Sequence, residues 1–306
     1  MSTISGSVET RPNSRITNFA WVVMLLVSTL PTILIDELTG LPAPWLFWAK
    51  IGLLVFAFLV AQVWQGLRPL RNFLLILLAI FAVEELVSRL GASALWLSWF
   101  GGAQAPFVQS MLSTQLLRLL VSLGMIAVLF GLGYTRRQMF LVRGQLDAPI
   151  KPVRWLGFPK SDPWTRFGGQ FAIYISLGLL VFLFLAGRPS PTRLVQAVSL
   201  LPAVLLFAVL NAFNEEMTYR ASMLATLEPV IGSRQAVWLA ATFFGLGHYY
   251  GVPYGVVGVV MASFLGWLLG KAMVETRGFF WAWFIHFLQD VLIFAFMAVG
   301  SITPGG

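Results

Sequence analysis

Apolar runs of about 20 residues recur from one end of this chain to the other, each long enough for a helix to cross roughly 30 Å of hydrocarbon. Inside a bilayer every backbone polar group needs a partner within the protein, so only helices and closed barrels can span it. The alternation of period two that a barrel strand requires is missing. The chain is therefore read as all-α, a polytopic transmembrane helical bundle of about eight to nine spans. The runs are 17–35, 45–66, 72–91, 107–134, 168–187, 195–227, 234–251, 254–271 and 279–299, with 92–104 as an interfacial or re-entrant link. A short polar leader with Arg11 and Arg15 feeds the first run, and no small-residue cleavage site follows it, so that run is read as an uncleaved span.

Charge is scarce and unevenly placed. Only 10% of residues are charged, against about 25% in soluble domains. The one substantial hydrophilic segment, 135–167, carries Arg136, Arg137, Arg143, Lys151, Arg154, Lys160 and Arg166 against Asp147 and Asp162. By the positive-inside rule this loop and the N-terminus are cytoplasmic, in a plasma (inner) membrane. Trp155, Phe158 and Trp164 are expected to rest the loop on the headgroups. It separates N-terminal transmembrane helices (1–134) from a C-terminal transmembrane core (168–306). The net charge of +8 does not point to nucleic acid, because the cations sit in loops and form no continuous run. The absence of cysteine excludes a thiol nucleophile, a thiolate metal site and any disulfide.

Against this background, both histidines and five of the twelve acidic residues lie inside apolar segments. An ionisable group there costs about 2.5–3.5 kcal/mol on insertion scales, so each marks a candidate site until a partner explains it. With a rise of about 1.5 Å per residue, Glu216, His248, His286 and Asp290 come to roughly 18, 21, 12 and 18 Å from the inner ends of their helices. Glu216 with Arg220, and His286 with Asp290, are four apart and share a helix face. Asn214 adds a polar neighbour, and Pro202 is expected to bend the long helix towards the site. Glu84, Glu85 and Arg89 repeat the same spelling without a histidine, with Arg118 within reach, and are read as a structural ion-pair cluster. Gly266 and Gly270 suit close helix packing.

Carboxylate and imidazole together at a buried, wettable site make the apparatus of general-base catalysis or of a metal centre. The sequence contains no H-E-x-x-H zinc motif, G-x-S-G serine element, G-x-G-D aspartyl element or Walker loop. The segments NEEMTYR (214–220), FGLGH (244–248) and HFLQD (286–290) resemble the three boxes of the CPBP family of intramembrane proteases, the CAAX-protease and bacteriocin-processing group related to type II CAAX prenyl endopeptidases. The resemblance covers roughly 168–299. It implies an endopeptidase whose site, on the C-terminal core helices, opens near the cytoplasmic side and takes a peptide or membrane-associated protein as substrate. Carried over, Glu215 is the water-activating base with His248, Glu216 and Arg220 support it, and His286 and Asp290 complete the site. Zinc or another divalent metal could be held by His248, His286, Asp290 and Glu215, so the cofactor is left open. Ala221 and Asp290 stand where glycine and asparagine are common, and an ionised aspartate cannot donate to an oxyanion. From the residues alone, a proton- or ion-coupled transporter and an inactive membrane scaffold remain as alternatives.

Overall fold

A computed structural model describes residues 14–302, so Arg11 lies outside the described residues. The regular elements are helical, apart from two isolated bridges that pair Pro149 with Pro163 and Val153 with Phe158. In chain order they are α1 (Ser14–Val27), α2 (Leu30–Thr39), α3 (Trp45–Val63), α4 (Arg71–Gly91), α5 (Ala94–Phe100) and α6 (Phe107–Gly131). After the hydrophilic segment come α7 (Trp164–Gly187), α8 (Pro191–Ala197), α9 (Leu201–Glu215), α10 (Ser222–Leu246), α11 (Val256–Thr276) and α12 (Phe280–Ser301).

Six described stretches are long and apolar enough to cross a membrane, seven if α1 and α2, bent by 45° at their junction, form one span. This multiplicity of apolar helices marks an integral membrane protein. The gap to the expected eight or nine has two sources. First, α4 carries Arg71, Glu84, Glu85 and Arg89, which weaken its hydropathy although its 21 residues suffice in length. Second, the 56-residue stretch Pro191–Leu246 doubles back at Gly232. That glycine has φ 78° and ψ 156°, a region that side chains with a Cβ avoid. Arg220 and Phe244, each twelve residues from Gly232 in the sequence, are in contact, with the guanidinium 4.4 Å from the ring centroid. On an unbroken helix they would stand about 36 Å apart.

Two local expectations need correction. Pro202 is the second residue of α9, where its missing N–H has no partner to lose, so it starts that helix and does not bend it. Trp164 is fully buried, its indole N–H donating to Glu275 at 3.0 Å. It pins the hydrophilic segment to the bundle and does not lie on headgroups. The same segment is tied down by Gln145 N–H to the Thr276 carbonyl (2.8 Å), Phe279 N–H to the Val142 carbonyl (2.8 Å) and the Trp281 indole to the Leu146 carbonyl (2.9 Å). Trp155 remains exposed but leans on Trp267.

These ties give the bundle two distinguishable ends. At the basic end, Asn72 bonds Tyr134 (3.1 Å), Arg277 pairs with Glu228 (2.7 Å) and the Trp21 indole meets Gln235 (3.0 Å). At the opposite end, the loop 247–255 is tied to α2. Tyr249 and Tyr254 donate to Glu37, both at 2.8 Å, and Tyr250 to Asp36 at 2.5 Å. The hydrogen bond to Glu37 pushes the Tyr249 phenol up to about 12, so it stays a donor throughout the physiological range. Also at this end α5, capped by Ser93, folds against α6 through the Trp96 indole and Ser113 (2.7 Å).

Helices in lipid gain little from excluding apolar surface, so close approach matters more. Gly266 lets α11 lie against the returning arm of α10. A Cβ there would stand 3.2 Å from the Ala241 Cα and 3.3 Å from Arg220 Nη2.

Candidate active site

The chain enters the site at the end of α9, where regular helix gives way to a π-turn, Glu216–Ala221. Ser222 N–H bonds the Met217 carbonyl five residues back, and such widened turns frequently accompany functional sites. A polar seam secures this turn against α6. Ser122 donates to the Asn214 carbonyl (3.1 Å) and meets Thr218 (3.2 Å), while Asn214 donates to the Gln115 carbonyl (3.2 Å). Asn214 thus serves the helix packing. Asn211, three residues earlier, and Glu215, the next residue, face the site.

Glu216 and Arg220 are fully buried and paired with each other. The guanidinium lies over the Phe244 ring, a contact that gains strength when desolvated. Glu216 also accepts a hydrogen bond from His286 Nδ1–H at 2.8 Å. A carboxylate on Nδ1 fixes the ring and leaves Nε2 facing the cavity. That Nε2 stands 3.7 Å from both Glu215 Oε2 and Asp290 Oδ2, beyond direct hydrogen-bonding distance. His248, on the first turn past α10, is set the same way by a different partner. Its Nδ1 faces the Phe244 carbonyl at 2.8 Å, so that nitrogen carries the proton and Nε2 is again the free face. Phe244 therefore touches three members of the group, stacking on His248 with centroids 4.3 Å apart and meeting His286 edge-on at 6.3 Å.

The fold thus brings Glu215, Glu216, Arg220, His248, His286 and Asp290 to one place. It adds residues that sequence reasoning had set elsewhere. Arg118 was expected near Glu84 or Glu85, yet it pairs with Glu215 at 2.5 Å and donates to Asn211 at 2.5 Å. Asn211 in turn donates to Asp290 at 3.1 Å, which closes a ring of α6, α9 and α12. As the one charge on the 25-residue α6, Arg118 carried the same signal as the buried acids. Glu84 accepts from Tyr219, inside the NEEMTYR box, at 2.5 Å, and lines a cavity with Glu215 and His248. Glu85 pairs with Arg89 on an exposed face. The pair read as one structural cluster is therefore split, with Glu84 in the cavity and Glu85 outside it.

Two cavities meet at Glu215 and His248. The smaller, about 400 Å³, has polar residues in its wall, including Ser28, Thr29, Lys50, Glu84 and Arg118. The larger, about 760 Å³, is mainly apolar and runs between α6, α7, α11 and α12 to His286 and Asp290. Because α7 packs chiefly on α12 and little on α11, this cavity lies where those two helices part.

The metal set considered from sequence, His248, His286, Asp290 and Glu215, is not assembled as a centre. Among the described residues no group of three or more His, Asp or Glu side chains is arranged to hold a metal ion. Two of the four donors have other engagements: Arg118 binds Glu215 and Asn211 binds Asp290, while His248 and His286 both keep Nε2 free.

Compared with known proteins, residues 197–292 match the family model described as type II CAAX prenyl endopeptidase Rce1-like. The match is narrower than the resemblance at 168–299 and contains all six sequence-predicted site residues, while Arg118 and Glu84 lie outside it. No curated protein and no solved structure matches the chain.

Proposed function

We propose that this chain, whose residues 197–292 form a domain of the Rce1-like type II CAAX prenyl endopeptidase family, is an intramembrane endopeptidase that hydrolyses a peptide bond with water activated by Glu215. One observation carries the proposal. Three boxes from different helices supply two carboxylates and two imidazoles to a single cavity, with each imidazole presenting Nε2 to it.

Glu215 accepts a proton from a water held between its Oε2 and His286 Nε2. The resulting hydroxide attacks the carbonyl carbon of the substrate. Arg118, bonded to Glu215 Oε1, lets that carboxylate stay charged in a low dielectric. The proton taken from water passes through His248 Nε2 to the leaving amine, so the atoms balance with no further reactant. Glu216 acts through His286 by fixing its ring, and Arg220 holds Glu216. Asp290, which accepts from Asn211, adds negative charge beside His286 Nε2 and is not the oxyanion donor. No step is routed through a metal.

The two cavities suggest what the substrate looks like. An apolar segment fits the larger one, reached from lipid between α7 and α11, and a polar flank fits the smaller. The scissile bond then lies at the boundary of a membrane-embedded segment, as in a lipidated or membrane-associated polypeptide. The transporter reading needs access from both faces. The two larger cavities that reach Glu215 instead draw their walls from the half of the bundle away from the basic end, for example α6 from Ser110 to Arg118 and α11 from Gly258 to Leu265.

The test is cleavage of quenched fluorescent peptides, one farnesylated and one with an apolar run only, by the purified chain in detergent. Glu215→Ala and His248→Ala should each abolish turnover while the protein still inserts and purifies as a folded species. Full cleavage by either variant would remove the catalytic assignment, and activity with only one peptide would identify the substrate class.

A further inference from the structure

The sequence reading put both the basic segment and the opening of the site on the cytoplasmic face, but the fold sets them at opposite ends. Glu215 closes α9 about 21 Å below its start at Leu201. The chain then runs on through the π-turn and the first arm of α10 to reach the basic end at Gly232. The cavities extend the other way. Their walls include Lys50 near the start of α3, Ser110 and Met111 near the start of α6, and Gly251 and Val252 in the loop that Asp36 and Glu37 tether. Only one of the two expectations can stand.

Charge decides between them. The seven cations of 135–167 share the basic end with Arg15, Arg68, Arg71, Arg234, Lys271 and Arg277. The opposite end has Lys50, Arg89, Arg188 and Arg193. Lysine and arginine near the ends of spans set orientation, while acids contribute little. Thirteen described cations against four hold the basic end in the cytoplasm. Turning the chain over to open the cavity there would carry all thirteen across the membrane.

We infer that the site opens on the face of the membrane away from the cytoplasm, and that its substrate is an exported or membrane-inserted polypeptide whose scissile bond lies towards that face. The substrate half of this inference rests on the peptidase reading; the orientation does not. A chain prenylated in the cytoplasm would meet the end of the bundle from which neither cavity draws its walls. An exported segment with an apolar run would meet the larger cavity, through Leu179, Phe182, Met261, Phe264 and Met297, with its polar flank still outside.

The lack of native cysteine makes every introduced thiol unique, so the full chain in the host plasma membrane can be probed directly. Val252→Cys, in a loop where that residue is 87% exposed, and Gln104→Cys, exposed in the link after α5, should react with a membrane-impermeant maleimide on intact cells. Lys160→Cys, exposed in the basic segment, should react only after permeabilisation. Lys160→Cys labelling on intact cells, or labelling of Val252→Cys and Gln104→Cys only after permeabilisation, would overturn the orientation, and two sites answer should one variant fail to insert. In parallel, a charged-flank fluorogenic peptide added outside should be cut at least 10-fold faster by right-side-out than by inverted membrane vesicles. The reverse preference would overturn the orientation while leaving the peptidase reading intact. Absence of Glu215-dependent cleavage in detergent would sink the peptidase reading and the substrate class with it, while the labelling would still decide which face is open.

Discussion

Substituting Glu216→Gln removes one charge from a pair whose side chains have 0% exposure and tests whether that pair is isolated. The amide oxygen can still accept from His286 Nδ1–H, so geometry is largely kept. What is lost is the counter-charge of Arg220. Its Nε and Nη2 are buried without a hydrogen-bond partner of their own. Breaking a buried ion pair by removing one partner costs about 3–5 kcal/mol. The Phe244 ring, 4.4 Å from the guanidinium, remains as compensation and is worth about 2 kcal/mol when desolvated, which places the expected loss near the lower bound, about 3 kcal/mol. In a detergent thermal-unfolding assay that is a fall on the order of 5–10 °C. The double variant Glu216→Gln with Arg220→Met removes both charges and should recover most of the stability, because a neutral replacement of a buried pair is often close to neutral. Cleavage should stay depressed about 100-fold in both, since the negative charge on His286 Nδ1–H that raises the basicity of Nε2 is gone from each. A double variant no more stable than the single one would refute the claim that the cost comes from an orphaned charge.

Other perturbations read other parts of the site. Gly266→Ala should lower stability by about 1–3 kcal/mol, because its Cβ meets the Ala241 backbone and Arg220 Nη2; an unchanged unfolding midpoint would show that α11 can slide away. Arg118→Ala should cut kcat about 100-fold or more and leave activity insensitive to chelators, as in the parent; loss of parental activity on chelation, with return on adding zinc, would contradict the metal-free route. Tyr249→Phe removes one tie between the His248 loop and Glu37, and should raise KM with little change in kcat, whereas a fall in kcat alone would mean the loop positions His248 itself.

The helical membrane character and the three boxes were legible because a charge in an apolar run is visible without any tertiary knowledge. The same rule pointed to Glu215, Glu216, His248, His286 and Asp290, and their matching depths followed from helix rise alone. Partners were less legible. Arg118 could be seen as a buried charge, but choosing among Glu84, Glu85 and Glu215 requires the relative rotation of α4, α6 and α9, which spacing within one helix does not contain. Tyr219 was hidden among the unspecified positions of its box. The π-turn left no distinctive composition, since EMTYRA reads as ordinary helix. The span count fell between sequence and structure because one glycine, Gly232, turns a continuous apolar stretch back on itself. The two ends of the bundle were legible through charge, but which stretches of each helix wall the cavities is a tertiary property that spacing within one helix does not contain.

The hairpin about Gly232 has a bearing on tolerated length variation. Glu215 and His248 are placed opposite one another by two arms whose lengths must agree. One residue added to either arm would advance its end by about 1.5 Å and rotate it by about 100°, carrying Glu215 or His248 off the cavity. Insertions should therefore be accepted only in compensating pairs, or past His248, where the tyrosine-tethered loop can take up the slack. A single added residue on one side of Gly232 should silence the site more completely than many substitutions within it.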